Sequence, residues 1–161
     1  MTPTALITGA SSGIGRELAR EHARRGGNLI LVARRRDRLD ALAAELRDRH
    51  AVAVTVLACD LAAPGGAASL HRDVTDHGLE IDVLINNAGF GGLGRFDEIP
   101  AERHHAMIEL NVMALTELTR ACLPAMVARG RAACSTWPPR PPSCPGRPRR
   151  RTSPPRLTCC R

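Results

Sequence analysis

The sequence predicts an α/β protein: a partial doubly wound parallel sheet of about four strands with flanking helices, followed by a basic Pro/Arg-rich tail without a fold. Three observations carry this prediction. Short apolar runs alternate with longer stretches of helical periodicity as far as residue 130. A glycine-rich turn, TGASSGIG, joins the first apolar run to the first helical stretch. At residue 131 the composition changes abruptly, and the chain divides into a body, 1–130, and a tail, 131–161.

The elements follow in order. TALITG (4–9) is a short apolar run that suits a buried parallel strand. Residues 13–25 read as a helix with Ile14, Leu18 and His22 or Ala23 on one face, stopped by Gly26-Gly27. NLILVA (28–33) is a second buried strand. In the basic stretch that follows, Leu39, Leu42, Ala43 and Leu46 keep helical spacing with charges opposite. AVAVTVLACD (51–60) and IDVLINNAG (81–89) read as the third and fourth strands, with a weaker helix over 66–78 between them. A long helix is predicted from about Ala101 to Ala128, its apolar stripe formed by Ile108, Val112, Leu115, Leu118 or Thr119, Cys122 and Met126. Pro124 is expected to kink or break it near its end. Strands alternating with helices require a parallel sheet covered on both faces.

The chain has a formal net charge of +7, but that charge is unevenly placed. The tail holds 8 basic residues and no acids, whereas the body carries 15 basic against 16 acidic residues. A nucleic-acid or membrane partner for the whole protein therefore loses its main support. The body's two cysteines, Cys59 and Cys122, lie in apolar sequence, as expected of a reduced, cytoplasmic protein rather than a disulfide scaffold. No secretory leader is expected, and no apolar run reaches the ~20 residues that span a bilayer. His104 and His105 read as helix-surface residues, and no metal site is expected.

The turn from Thr8 to Gly15 has the physics of a dinucleotide site. Its glycines let the backbone turn tightly and approach a pyrophosphate, and the following helix offers free N–H groups to that anion. The hydroxyls of Ser11 and Ser12 add donors. The position after the second strand faces the adenosine ribose in such a site. Here it reads ARRRDRL, with no acid before Asp37. Guanidinium suits a 2′-phosphate, so NADP is expected ahead of NAD, with Arg34 first and Arg35 second in line to bind it.

The T-G-x-x-x-G-x-G spacing, Asp60 closing the third strand, NNAG after the fourth and Asn111 in NVMA occur together and in order. By these motifs residues 1–130 resemble the short-chain dehydrogenase/reductase family, whose nucleotide-binding half is Rossmann-like. The resemblance implies cofactor contacts from Thr8, Gly9, Ser11, Ser12, Gly13, Ile14, Gly15, Arg34, Arg35, Asp60, Leu61, Asn87, Ala88 and Gly89. It also implies a catalytic part for Asn111, as anchor of a proton-relay water. The implied reaction is hydride transfer between NADP(H) and an alcohol or carbonyl substrate that the sequence does not specify. The family forms homo-oligomers, commonly through the fourth helix and the one after it, and this chain offers no match for the latter.

The family's chemistry further requires a Tyr-x-x-x-Lys pair and an upstream Ser: the Tyr as general acid or base, the Lys to lower its pKa, the Ser to position the carbonyl. This chain contains no Tyr and no Lys. The genetic code offers a reason. Suppose a coding text RGGVLNVAS, with synonymous codons chosen as CGC GGC GGC GTG CTC AAC GTG GCC TCC. Losing one G after CGC, it would read Arg131-Ala132-Ala133-Cys134-Ser135-Thr136-Trp137-Pro138-Pro139, the residues of this sequence. Codon degeneracy further on permits TAAFLPGP and YFATKAYVLS in the displaced frame. The Tyr codon straddles Arg151 and Thr152, and the Lys codon straddles Pro155 and Arg156. The tail is therefore read as a frameshift product standing where the catalytic half belongs, the alternative being an authentic disordered Pro/Arg tail. Three outcomes are open at this point: an inactive oxidoreductase by descent, an NADP-binding module without turnover, and an unstable fragment.

Overall fold

The computed structural model describes residues 2–130 and 132–136. Five strands and five helices are arranged as β1 (Thr4–Thr8), α1 (Gly13–Arg24), β2 (Asn28–Ala33), α2 (Arg36–His50), β3 (Val54–Ala58), α3 (Gly66–Asp76), β4 (Val83–Asn86), α4 (Ala101–Ile108), α5 (Leu115–Ala128) and β5 (Ala133–Thr136). A 3-10 turn, Phe96–Glu98, precedes α4, and a π-helical segment, Glu109–Ala114, joins α4 to α5. All strand pairs are parallel, in the order β3-β2-β1-β4-β5. Registers place Ile7 beside Leu31 and Ile85, and Asn86 beside Thr136.

Alternation along the strands sends side chains to two separate core layers, because successive strand residues face opposite sides of a sheet. Ala5, Ile7, Leu29 and Leu31 meet Ala19 and Ala23 of α1 and Leu39, Leu42, Ala43 and Leu46 of α2. Leu6, Ile30, Val32, Leu57 and Leu84 meet Leu70 and Val74 of α3 and Leu118, Cys122 and Met126 of α5. Both faces of the central strands are thus buried, which is why β1 and β2 read as unbroken apolar runs.

The structure changes four of the sequence expectations. First, α1 does not bury Ile14, which is 37% exposed; its buried face is Gly15, Ala19 and Ala23. Small side chains at i, i+4 and i+8 let this helix lie close on the sheet. His22 instead reaches the carbonyl of Pro3, 3.3 Å away. Second, the long helix is not uniformly α. It passes through the π-helical segment at Asn111, and the upper part of its expected stripe, Ile108 and Val112, is exposed while Leu118, Cys122 and Met126 are buried. A π turn adds a residue to the helical register, so one stripe does not stay on one face. Third, of the kink or break expected at Pro124, the break does not occur, and α5 continues to Ala128. Fourth, the sheet has a fifth strand beyond the four read from the sequence. Ala133–Thr136 lies inside the stretch assigned to the tail, yet it pairs with β4. The open edge of β4 supplies the pairing groups, and Ala132 and Cys134 pack against the α5 layer. The remainder of the predicted tail, 137–161, lies outside the described residues.

Candidate functional site

Strand order reverses between β1 and β4, neighbours in the sheet but far apart in sequence. In open parallel sheets the crevice at such a switch point, outside the carboxyl ends of the strands, is where ligands bind. A cleft of 740 Å³ lies there, lined by the turn after β1, the end of β2, the end of β3 and the turn after β4. Gly9, Ser11, Ser12, Gly13, Ile14, Arg34, Arg35, Asp60, Leu61, Asn87, Ala88 and Gly89 of the expected set all line it. Thr8, Gly15 and Asn111 do not; they stand behind the wall and shape it.

The wall is built by backbone fit. Gly9 has a positive φ of +68°, and a Cβ there would lie 2.9 Å from the Ala88 Cα. A Cβ on Gly15 would come within 2.4 Å of Asn87 Nδ2 and 2.6 Å of the Gly9 carbonyl oxygen. Glycine is thus required at both positions, so that the turn after β1 and the turn after β4 can touch. Asn87 Nδ2 ties them by donating to the Thr8 carbonyl at 3.0 Å. Thr8, 2% exposed, is the other tie. Its Oγ1 accepts the Asn87 N–H at 3.0 Å and the Ala88 N–H at 2.9 Å, and donates to the Ile85 carbonyl at 3.4 Å. Asn86 is buried and points the other way, its Nδ2 donating to Thr119 Oγ1 on α5 at 2.9 Å.

Ser12 caps α1 in an extended conformation but makes no side-chain capping bond, and the first turn holds no acid. The first N–H groups of α1 therefore keep their positive end directed at the turn, where an anion would sit. Arg35 closes the same turn from β2: its guanidinium donates to Ser11 Oγ and Ser12 Oγ, both at 3.1 Å. Sequence reasoning put Arg34 first. Both arginines line the cleft, and Arg35 is the one held against the hydroxyls of Ser11 and Ser12.

On the β3 side, Asp60 accepts the Ala62 N–H at 3.0 Å and orders the turn that carries Leu61 into the wall. Beside it Cys59 is half-buried and donates to the Gly66 carbonyl at 3.6 Å. Burial, then the charges of Asp73 and Asp60, raise its thiol above the ordinary value, so the cleft presents a neutral sulfur. On the β4 side, the amide of Asn111 makes a two-point clasp with the Phe90 backbone. Nδ2 donates to the Phe90 carbonyl at 2.9 Å, and Oδ1 accepts the Phe90 N–H at 3.1 Å. The π-helical segment that carries Asn111 is the local distortion often found at functional sites. Here it aims the amide at the loop that enters the cleft.

Phe90, Gly91, Cys59, Leu110, Val32 and Ala33 also line the cleft and were not singled out from sequence. Phe90, Gly91 and Cys59 flank recognised motifs directly, a usable signal. Leu110 reaches the wall through the packing of its helix, which leaves no local mark. Among the described residues no group of three or more His, Cys, Asp or Glu could hold a metal ion. His104 stacks on Phe96, their rings 4.4 Å apart.

A parallel sheet of this order, with a glycine-walled cleft at its switch point and a helix N-terminus facing it, defines a dinucleotide-binding protein of the Rossmann type. Comparison with known proteins places it more narrowly. The family model described as short chain dehydrogenase matches residues 3–134. The chain is 38% identical over 136 residues to the very-long-chain 3-oxoacyl-CoA reductase of Pyrenophora tritici-repentis, covering 82% of this chain and 40% of that protein. It is 39% identical to the oxidoreductase UcpA of Salmonella typhimurium, covering 78% of this chain and 47% of that one. Among solved structures it resembles a short-chain dehydrogenase from Sphingobium yanoikuyae in complex with NADPH, with a TM-score of 0.78 and 47% identity over 83% of this chain and 52% of that one. It also resembles the L-sorbose reductase of Gluconobacter frateurii complexed with NADPH and L-sorbose, with a TM-score of 0.79 and 38% identity over 84% and 51%. The chain belongs to the short-chain dehydrogenase family of oxidoreductases, and it spans about half the length of these relatives.

Proposed function

We propose that this chain binds NADP(H) in the switch-point cleft and does not turn it over. The carrying observation is Arg35, held on Ser11 and Ser12 at the ribose end of the cleft, with Arg34 beside it and no acid to meet a 2′-hydroxyl. The residues present fit the cofactor: Gly9, Gly13 and the N-terminus of α1 would hold its pyrophosphate. Asp60 and Leu61 would hold its adenine, and Asn87 to Gly89 would border its nicotinamide ribose. When bound, the nicotinamide supplies or accepts a hydride. Proton transfer is a separate requirement, and the family's Tyr and Lys, which meet it, have no counterpart among these 161 residues. Asn111 would anchor a relay water only in their company. Two structures similar to this chain contain NADPH, which supports the choice of cofactor. The frameshift reading accounts for the missing pair, and we place the chain in the cytoplasm, acting without nucleic acid or membrane.

The test is a thermal melt of the full chain with NADPH and with NADH. Saturation at about a hundred times Kd should stabilise the fold by roughly 2.7 kcal/mol. NADPH should act at lower concentration than NADH, and no carbonyl substrate should consume it. No shift with either nucleotide defeats the binding reading; steady NADPH oxidation defeats the no-turnover reading. Sequencing the gene tests the frameshift, which an intact frame lacking the displaced Tyr and Lys codons would exclude.

A second reading, a chain that does not persist in the cell, is favoured by one observation. Leu93, Phe96, Ile108, Val112, Met113 and Val127 are large, apolar and exposed. Under that reading the purified chain aggregates whether or not NADPH is present.

A further inference from the structure

The end of β4 is gripped from two sides. Asn87 is held by the turn after β1: its N–H donates to Thr8 Oγ1 and its Nδ2 to the Thr8 carbonyl, both at 3.0 Å. Asn86, the last residue of the strand, is 3% exposed, and its Nδ2 donates to Thr119 Oγ1 on α5 at 2.9 Å. The Thr119 hydroxyl gives its own proton to the Leu115 carbonyl at 2.8 Å, which leaves its oxygen as a fixed acceptor. A cavity of 10 Å³ lies beside this link. Thr8, Asn86 and Ala88 bound it from the sheet, and Leu110, Leu115 and Leu118 from the π-helical segment and α5. Ala88 lines the cleft as well, so the wall there is one residue thick. A gap forfeits the dispersion contacts that hold two surfaces together. The Asn86–Thr119 hydrogen bond supplies the connection that packing does not.

We propose that Thr119 is a positioning residue for the cofactor cleft, acting through the Asn86 amide to set the backbone of Asn87, Ala88 and Gly89. Its effect on a ligand rests on the NADP(H) reading above; its effect on the wall does not. The path is short. Thr119 fixes the Asn86 side chain, and one peptide bond joins Asn86 to Asn87. With Asn86 held by α5 and Asn87 by the turn after β1, the strand end does not rotate about its axis. The N–H groups of Asn87 and Ala88 then stay on Thr8 Oγ1, and Ala88 and Gly89 keep their place along the cleft. Thr116, three residues earlier on α5, provides a natural comparison. Its hydroxyl makes the same kind of bond, to the Val112 carbonyl at 2.7 Å, but it is exposed and bonded to nothing on β4 among the described residues.

Full-length chains carrying Thr119→Val, Thr119→Ser or Thr116→Val are compared with the unsubstituted chain, well below their melting temperatures. Two quantities are read: amide exchange without ligand, resolved by residue, and the Kd for NADPH by titration. Thr119→Val keeps the shape of the side chain and leaves Asn86 Nδ2 without its acceptor. It should speed exchange at Asn87 and Ala88 by about tenfold and weaken NADPH by about tenfold, the effect of one hydrogen bond. Thr119→Ser keeps the hydroxyl, and Thr116→Val keeps the bond to Asn86; both should match the unsubstituted chain in both readings. A lower Tm for Thr119→Val with exchange and Kd unchanged makes Thr119 merely structural and overturns the proposal. Faster exchange with unchanged NADPH affinity overturns it too. So does a loosening of Asn87 and Ala88 by Thr119→Ser, a result that can be read even where Thr119→Val does not fold. If the unsubstituted chain takes up no NADPH, the cofactor reading fails, and the exchange readings alone decide whether Thr119 holds the wall.

Discussion

The stretch from β1 to β4 and the stretch after β4 follow different rules. In the first, Leu6, Ile7, Ile30, Leu31, Leu39 and Leu70 are all fully buried, and Ile14 alone among the exposed large hydrophobics belongs to it. In the second, Leu118, Cys122 and Met126 are buried, but Leu93, Phe96, Ile108, Val112, Met113 and Val127 face out. The difference is one of partners. Strands β1 and β2 have a strand on each side and helices on both faces, whereas α4 and the π-helical segment have no layer above them among the described residues. The cleft draws on both stretches: the first gives the turn after β1 and the ends of β2 and β3, and the second gives Asn87 to Gly91 and Leu110, with Asn111 acting through Phe90. The cleft therefore joins a closed half to a half whose apolar surface is still open.

The comparison breaks most visibly at the core. Leu31→Ala should cost about 2–5 kcal/mol by cavity formation. Val112→Ala, at a residue 51% exposed, should stay within about 0.5 kcal/mol. Urea denaturation of both variants checks this, and equal losses would show that Val112 is covered in solution. Next in size is Thr8→Val, which leaves the N–H groups of Asn87 and Ala88 without their acceptor. It should cost about 1–3 kcal/mol of stability and weaken nucleotide binding with it, read by melting and titration.

Arg35→Ala should leave stability nearly unchanged, since its partners Ser11 and Ser12 are at the surface. It should weaken NADPH by about tenfold or more, the worth of a hydrogen bond to a charged group, and leave NADH nearly as before. A fluorescence titration with both nucleotides distinguishes this from a general loss of the site.

The smallest effect belongs to the pair that locks α1 to α2. Arg20 makes two bonds to Glu45, Nε to Oε1 at 3.0 Å and Nη2 to Oε2 at 2.8 Å. The Arg20 hydrogen bond holds the Glu45 carboxyl below its usual range. Its folded pKa being depressed, the contribution is present above the unfolded value of about 4.3 and is lost as pH falls through the folded value. Glu45→Gln should cost about 0.2–1 kcal/mol at neutral pH and flatten the stability–pH curve below about 4.3. An unchanged acid limb would remove Glu45 from the account.

Much of the cleft was legible in the sequence because its signals are local. A glycine that must take φ +68°, a buried apolar run before it and a helical stretch after it are all written within a few residues. Arg34 was placed by its position after the second strand, and Asp60 and the NNAG turn by the family resemblance. Other features were not legible. The sequence puts Ile14 and Leu18 on the inner face of α1, with His22 or Ala23; of these only Ala23 is buried, and the sheet's closeness makes Gly15 and Ala19 its companions. The π turn at Asn111 and the fifth strand from Ala133 to Thr136 also carry no local mark. Periodicity and backbone permissiveness belong to neighbours along the chain, so the sequence by itself determined the alternating elements, the parallel sheet and the glycine-rich turn after β1. Which face a helix buries, where its register slips and whether a weak segment joins an open edge depend on contacts between distant residues, and those only the tertiary structure decided.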